Sequence, residues 1–156
     1  MNDIYFEPNL IKVKKIREDA VLPSYQTRFS SGFDLCACGI YYIYNDDVTP
    51  VHTGLSFEFP IEYELQIRMR SGLAKDYPNY LANGIGTIDA DYRGEIICMI
   101  RNPWLAGQNI KWRWRIDHGV RIAQAILIPI VRGEIIEVET LSDTERGAGG
   151  FGSTGI

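Results

Sequence analysis

The sequence predicts an all-β fold, a distorted jelly roll or β-barrel, and three observations predict it. Seven or more short runs alternate apolar and polar residues with the two-residue period of a strand. The chain carries 15 glycines and 7 prolines, and glycine, proline and polar clusters punctuate those runs where turns need them. No segment keeps a helical period for long: Leu73 and Ala74 can make one short helical turn, but Pro78 prevents a long helix there. With 46% hydrophobic composition over 156 residues, the chain can bury one core and leaves no room for a second domain.

The elements follow in order. In IKVKKI, Ile11, Val13 and Ile16 face inward between lysines, giving a half-buried strand. Pro23 breaks the chain, and FSSGFDLCACGI then places Gly32 before a second strand in which Asp34 is the one carboxylate among Phe33, Leu35 and Ala37. Such a carboxylate needs solvent, a hydrogen-bond network or a cation, and an Asx-type turn is its ordinary explanation. Tyr41 to Tyr44 is aromatic enough for a strand or for packing under a loop, and Asn45 to Pro50 reads as a turn. LSFEF and YELQIRMR follow as strands; in the second, Leu65, Ile67 and Met69 alternate with Gln66, Arg68 and Arg70. EIICMI is a further strand, and Arg101 to Asn109 reads as a loop or bulge. In GVRIAQAILIPIV both phases are apolar, so both faces are expected to be covered, and IIEVETL continues the β pattern. The expected domain spans residues 1–141, with residues 142–156 a flexible glycine-rich lid.

Charge and composition exclude several classes. Twenty acidic and 16 basic residues leave a net charge of -4, so bulk attraction to nucleic acid is not indicated. KWRWRI interleaves Lys111, Arg113 and Arg115 with Trp112, Trp114 and Ile116, a pattern that suits single-stranded nucleic acid but equally a strand with a buried aromatic face; the acidic balance favours core or subunit-interface tryptophans. The N-terminus lacks a basic segment followed by an apolar one, and no apolar run approaches bilayer length. The expectation is an intracellular, cytoplasmic protein without a membrane partner. Cys36, Cys38 and Cys98 are an odd set outside any zinc-type spacing with His52 or His118, and buried free thiols are expected.

Three polar stretches carry the chemistry. The segment NGIGTIDADYRGE, Asn83 to Glu95, crowds glycines, carboxylates, a tyrosine and an arginine between two apolar runs, and has the composition of a polar hairpin. Gly84 and Gly86 permit tight geometry, and Ile88 can anchor the turn beside Asp89. RSGLA offers Arg70, the Ser71 hydroxyl and the Gly72 amide, and RGAGGFGSTG offers Arg146 with a run of close-approaching amides; both suit a polyphosphate. The glycine tail lacks the lysine and strand-helix context of a P-loop. Asp34 can help hold magnesium directly or through water, Asp89 can orient and deprotonate a water, Tyr92 can pack against a sugar, and Phe151 can stack on a base.

Five segments, SSGFDLCA from Ser30, RSGLA, NGIGTIDADYRGE, RIAQ from Arg121 and RGAGGFGSTG from Arg146, stand in the order of the trimeric all-β dUTPase family, and the chain resembles that family through most of its length. The resemblance implies a β-clip barrel whose C-terminal tail is exchanged in a homotrimer, and Mg2+-assisted hydrolysis of dUTP to dUMP and pyrophosphate by water attack at the α-phosphorus. Asp89 then matches the water-activating general base, Asn83 the uracil-recognition residue and Tyr92 the gate against ribose. Arg70, Ser71, Gln124 and Arg146 match phosphate contacts, Phe151 the base-stacking residue, and Ser153 and Thr154 the tail hydroxyls; Gly72, Gly86, Ile88 and Gly152 complete the expected substrate contacts. Asp34 matches the carboxylate near the metal, reached through water while the triphosphate is the direct ligand. Sites between subunits would draw Asp89 and Asn83 from one chain, Arg70, Ser71 and Gln124 from a second and the tail from a third.

Met69 and Val120 depart from the family, which often has proline and aspartate there; the second departure removes a charge that would organise Arg121. Two other readings stay open. A dCTP deaminase shares the fold and would need a catalytic glutamate, for which Glu95 is the candidate; a nucleotide-sensing or nucleic-acid-binding module would keep the fold without turnover. An additional protein partner at the Trp112 to Trp114 region is the remaining possibility for that stretch.

Overall fold

The computed structural model describes residues 10–44, 47–76, 79–103 and 113–150. Eleven strands and one short helix occur among them: β1 Lys12–Lys15, β2 Phe33–Cys36, β3 Tyr41–Tyr44, β4 Val48–His52, β5 Leu55–Glu58, β6 Tyr63–Met69, α1 Ser71–Asp76, β7 Tyr80–Leu81, β8 Gly86–Ile88, β9 Ile97–Arg101, β10 Arg113–Ile116 and β11 Arg121–Pro129. They form four small sheets, ordered β2-β11-β6-β8, β4-β9-β7, β10-β3 and β1-β5. Every pairing is antiparallel, so the all-β expectation stands, and α1 extends the short turn read at Leu73 and Ala74 to six residues.

Alternation explains the core. Along β9, Cys98 and Ile100 are buried while Ile97 and Met99 face out. Leu35, Ile43, Val51, Leu55, Leu65, Ile100, Ile116 and Ile122 are all fully buried, and each such side chain contributes roughly 1.5–3 kcal/mol on leaving water. β11 is the central strand of the largest sheet. Its Ala123 and Ala125 are buried, whereas Ile126 and Ile128 on the opposite phase are only half-covered, short of the two-sided burial expected of this run. The three cysteines are free and buried, as expected. Trp114 is half-buried, opposite Ile43 and packed against the core, which agrees with an aromatic face turned inward; Trp112 lies outside the described residues.

Several sequence expectations fail. Val48–His52 is a strand, so the turn read over Asn45 to Pro50 does not reach Pro50. β4 pairs only with β9 and is the edge of its sheet, where a proline without an N–H costs no ladder bond. IIEVETL makes no strand: residues 131–150 join no sheet, and Val131, Ile135 and Leu141 are 98%, 98% and 86% exposed. The alternation there marks an extended apolar edge, but no strand among the described residues covers it. Arg101 closes β9 instead of opening the predicted loop, and residues 104–112 lie outside the described residues. No helix among the described residues is long and apolar enough to cross a membrane.

Candidate active site

Two pockets of different character among the described residues hold site residues expected from the sequence. The first, about 350 Å³, is lined by Gln26, Ser30, Ser31, Gly32, Asp34, Arg70, Ser71, Gly72 and Gln124. β11 assembles it: Gln124 stands opposite Asp34 on one neighbour strand and opposite Arg68 on the other, and Arg70 and Ser71 follow directly where β6 passes into α1. Asp34 answers the question its burial raised. Its carboxylate, 12% exposed, accepts from Arg70 Nε at 2.9 Å on Oδ1 and from Arg121 Nη1 at 3.1 Å on Oδ2. Arg70 also donates to the Arg121 carbonyl at 3.2 Å. Arg121 is therefore organised by Asp34 in spite of Val120. One carboxylate between two guanidiniums leaves a net positive cluster, of which Asp34 and Arg70 line the pocket and Arg121 lies outside its lining; the charge suits an anion. The buried Cys36 thiol beside it is pushed up by burial first and by the Asp34 charge second.

The second pocket, about 210 Å³, is lined by Thr87, Ile88, Asp89, Tyr92, Glu95 and Ile97. β8 pairs with β6 and brings Ile88 opposite Leu65, and the chain then turns. That turn is fixed by its backbone: Tyr92 N donates to the Asp89 carbonyl at 3.1 Å, and Arg93 Nη1 donates to the Ala90 and Tyr92 carbonyls at 2.6 and 3.1 Å. Asp89 and Tyr92 are exposed toward solvent, and the Tyr92 hydroxyl donates to the Glu95 carbonyl at 3.1 Å. A Cβ on Gly94 would lie 2.2 Å from that hydroxyl, so glycine is what lets the ring lie there. At the other end of β8, Asn83 is exposed on a tight turn in which Gly84 N donates to the Leu81 carbonyl at 2.8 Å and Gly84 takes φ 71. Gly86 follows in β8, opposite Ile67.

The two pockets share no lining residue. Asp89 follows the residue opposite Leu65, while Arg70 lies five positions further along β6, roughly 16 Å at the rise of an extended strand. Arg146 belongs to neither lining; it donates through Nε to the Gly149 carbonyl at 2.9 Å within its own turn. Phe151, Gly152, Ser153 and Thr154 lie outside the described residues. Sequence reasoning gave no role to Gln26, although Ser30 and Ser31 stood inside a quoted motif, and it missed that Glu95 joins the second pocket through its side of the turn.

Possible metal ligands cluster elsewhere. Asp19, Cys38 and His118 bring one ligand atom each within 4.8 Å of one another. Arg17 forks onto both Asp19 oxygens at 3.1 and 3.0 Å and holds that carboxylate below its usual range, while burial and Asp19 push the Cys38 thiol up. A protonated thiol is not magnesium chemistry, since that ion takes oxygen ligands. Nor does Asp34 offer a direct seat, with a guanidinium on each oxygen. The phosphate-side residues fit magnesium only as an ion carried on a triphosphate.

Known proteins with this sequence pattern point one way. The dUTPase family profile matches residues 18–155. The deoxyuridine 5'-triphosphate nucleotidohydrolase of Nautilia profundicola is 48% identical over 145 residues, covering 93% of this chain and 98% of its own. That of Helicobacter pylori strain J99 is 43% identical over 146 residues, covering 94% and 97%. Among solved structures, the Staphylococcus bacteriophage 80alpha dUTPase with dUPNHPP superposes with a TM-score of 0.83 at 25% identity, over 95% of this chain and 99% of its own. A mutant dUTPase of phage phi11 of S. aureus, described with a structural Mg(II) ion, matches in fold with a TM-score of 0.79 at 20% identity, over 86% and 100%. With a family match over nearly the whole chain and relatives of this identity and coverage, the chain belongs to the dUTPase family.

Proposed function

We propose that this protein hydrolyses dUTP to dUMP and pyrophosphate, at sites completed between the subunits of a homotrimer. The observation that carries the reading is the pair of complementary pockets: a carboxylate beside an aromatic gate on one, and on the other Arg70, braced by Asp34, with hydroxyl and amide donors. Asp89, exposed at the rim of its pocket, takes the proton of a water and aims it at the α-phosphorus. Tyr92, in the lining of the same pocket, admits a deoxyribose and turns away a 2′-hydroxyl, and Asn83, with Gly86 and Ile88 shaping β8, reads the uracil edge. Arg70, Ser71, Gly72 and Gln124 receive the phosphates and stabilise the charge that develops on them. Arg146 and the tail residues Phe151, Gly152, Ser153 and Thr154 close over the substrate as a lid over residues 142–156. Asp34 would approach, through water, a magnesium ion carried on the triphosphate, which would supply charge neutralisation there.

The trimer is supported by the separation of the two pockets along β6 and by the exposed arm. Asp89 and the Arg70 pocket of one chain share no lining residue and lie well apart along the β6 edge, which supports a neighbour supplying the second half. Val131, Ile135 and Leu141 present apolar side chains of a kind that a stable monomer rarely leaves in water, and a second copy of the barrel is the partner that fits. The deaminase reading is disfavoured because Glu95 has no free oxygen: one accepts from Gly54 N at 2.8 Å and the other meets His52 Nδ1 at 2.8 Å.

The test is turnover of dUTP, dTTP, dCTP and UTP with and without magnesium, with dUMP, pyrophosphate and ammonia all measured, on the wild type and Asp89→Asn. Selective release of dUMP and pyrophosphate that collapses in Asp89→Asn is expected. Ammonia from dCTP, or tight dUTP binding without turnover, would overturn the assignment.

A further inference from the structure

The second pocket contains a residue with no role in the reading above, Glu95, and its environment is built on all sides. Its carboxylate bridges two points of the corner between β4 and β5: Oε1 accepts from Gly54 N at 2.8 Å, and Oε2 meets Nδ1 of His52, the last residue of β4, at 2.8 Å. The ring of Tyr41 stacks on His52 with centroids 6.3 Å apart and planes at 19°, fixing the imidazole from behind. The backbone carbonyl of Glu95 is the acceptor for the Tyr92 hydroxyl. Glu95 is thus the one residue that ties the rigid β4–β5 corner, through its side chain, to the exposed tyrosine, through its main chain.

We infer that Glu95, clamped by His52 and Gly54, is a positioning residue for sugar selectivity: it holds the carbonyl that fixes the Tyr92 phenol against the substrate's 2′ position. The inference rests on the reading of Tyr92 as the ribose gate. A phenol on a single hydrogen bond swings when its acceptor moves, and the acceptor here belongs to the residue whose side chain carries the clamp. Loosening the clamp opens space at C2′ without touching Asp89, so the penalty falls on discrimination before it falls on dUTP turnover.

The test compares kcat/KM for dUTP and for UTP. Glu95→Ala should lower the dUTP-to-UTP ratio by about tenfold, chiefly through a gain with UTP. His52→Ala should lower it less, because Gly54 N still holds Oε1. Glu95→Gln keeps an oxygen for Gly54 N and offers an amide N–H to Nδ1, so it should restore most of the ratio. Thr53→Val is the comparison for a purely structural effect. It cuts the buried 2.7 Å bond from Thr53 Oγ1 to the carbonyl of Ile96, the residue after Glu95, and should lower the melting temperature while leaving the ratio unchanged. A folded Glu95→Ala or His52→Ala protein with the wild-type ratio, or a Thr53→Val protein whose ratio falls as far as that of Glu95→Ala, overturns the clamp. A wild type that does not prefer dUTP over UTP overturns the gate itself, and with it the reading on which the clamp depends.

Discussion

Replacing Asp34 by Asn separates two jobs for that side chain, metal ligand and organiser of arginines. The swap keeps shape and removes the charge that Arg70 and Arg121 share at 2.9 and 3.1 Å. Arg121 is 45% exposed, and its pair with Asp34 contributes about 0.5 kcal/mol, in the range of surface pairs. Arg70 is 27% exposed against a carboxylate at 12%, which places that bond between surface and buried pairs, at about 2 kcal/mol. The asparagine oxygen still accepts from one guanidinium and returns about 1 kcal/mol. A net loss of about 1.5 kcal/mol corresponds to a fall of about 3–6 °C in melting temperature for a chain of this size. Arg70, less firmly placed, should raise the KM for dUTP about fivefold, equivalent to about 1 kcal/mol of lost phosphate placement. The magnesium concentration giving half-maximal rate should rise only about twofold, because Asp34 meets the ion through water while the triphosphate holds it directly. Melting curves at one fixed protein concentration, together with magnesium titrations of the initial rate, measure all three. A rise of about tenfold or more in the magnesium requirement with an unchanged melting temperature would refute the reasoning and make Asp34 a direct ligand of the metal.

Gly94→Ala puts a methyl group 2.2 Å from the Tyr92 hydroxyl, so the ring must move; the variant should fold normally and lose about tenfold of its preference for dUTP over UTP. The three thiols should be silent to a thiol reagent at neutral pH in the folded protein and all react once it is unfolded, since each is buried. Burial holds the Cys98 thiol at about 12 against a usual 9.0, so the unfolded state ionises first: the stability associated with the protonated thiol is complete below about pH 9 and is lost as pH rises toward 12. Urea melts across that window should show a shallower alkaline decline in Cys98→Ala than in the wild type.

What the sequence discloses here is local, and what it withholds is pairing. The period in Leu65, Ile67 and Met69 was enough to place β6 and its inward face, but the hairpin read over Asn83 to Glu95 does not form: β8 pairs with β6 and β9 with β4 and β7, so Asp89 sits on a crossing between two sheets. Pro50 misled because a proline argues against a central strand but is silent about an edge, and edges are a property of the sheet. IIEVETL misled for the converse reason: alternation promises an extended apolar side but not a partner within the same chain. The first pocket was legible only as separate motifs. That Arg121 meets Asp34 across 87 positions follows from the register of β11 on β2, and no short-range signal announces it. His52 carried no signal at all, since its meaning lies in Glu95, which sits 43 positions away.

The central claim, that one chain holds two halves of different sites, is tested most directly by complementation. Asp89→Asn and Arg70→Ala proteins, each inactive alone, are unfolded, mixed in equal amounts and refolded together. If sites form between subunits, random trimers carry both intact halves at about one site in four, and the mixture should regain about a quarter of wild-type activity. If Asp89 and Arg70 serve the same site from one chain, no mixed trimer contains an intact site, and a refolded mixture as inactive as its components would contradict the account.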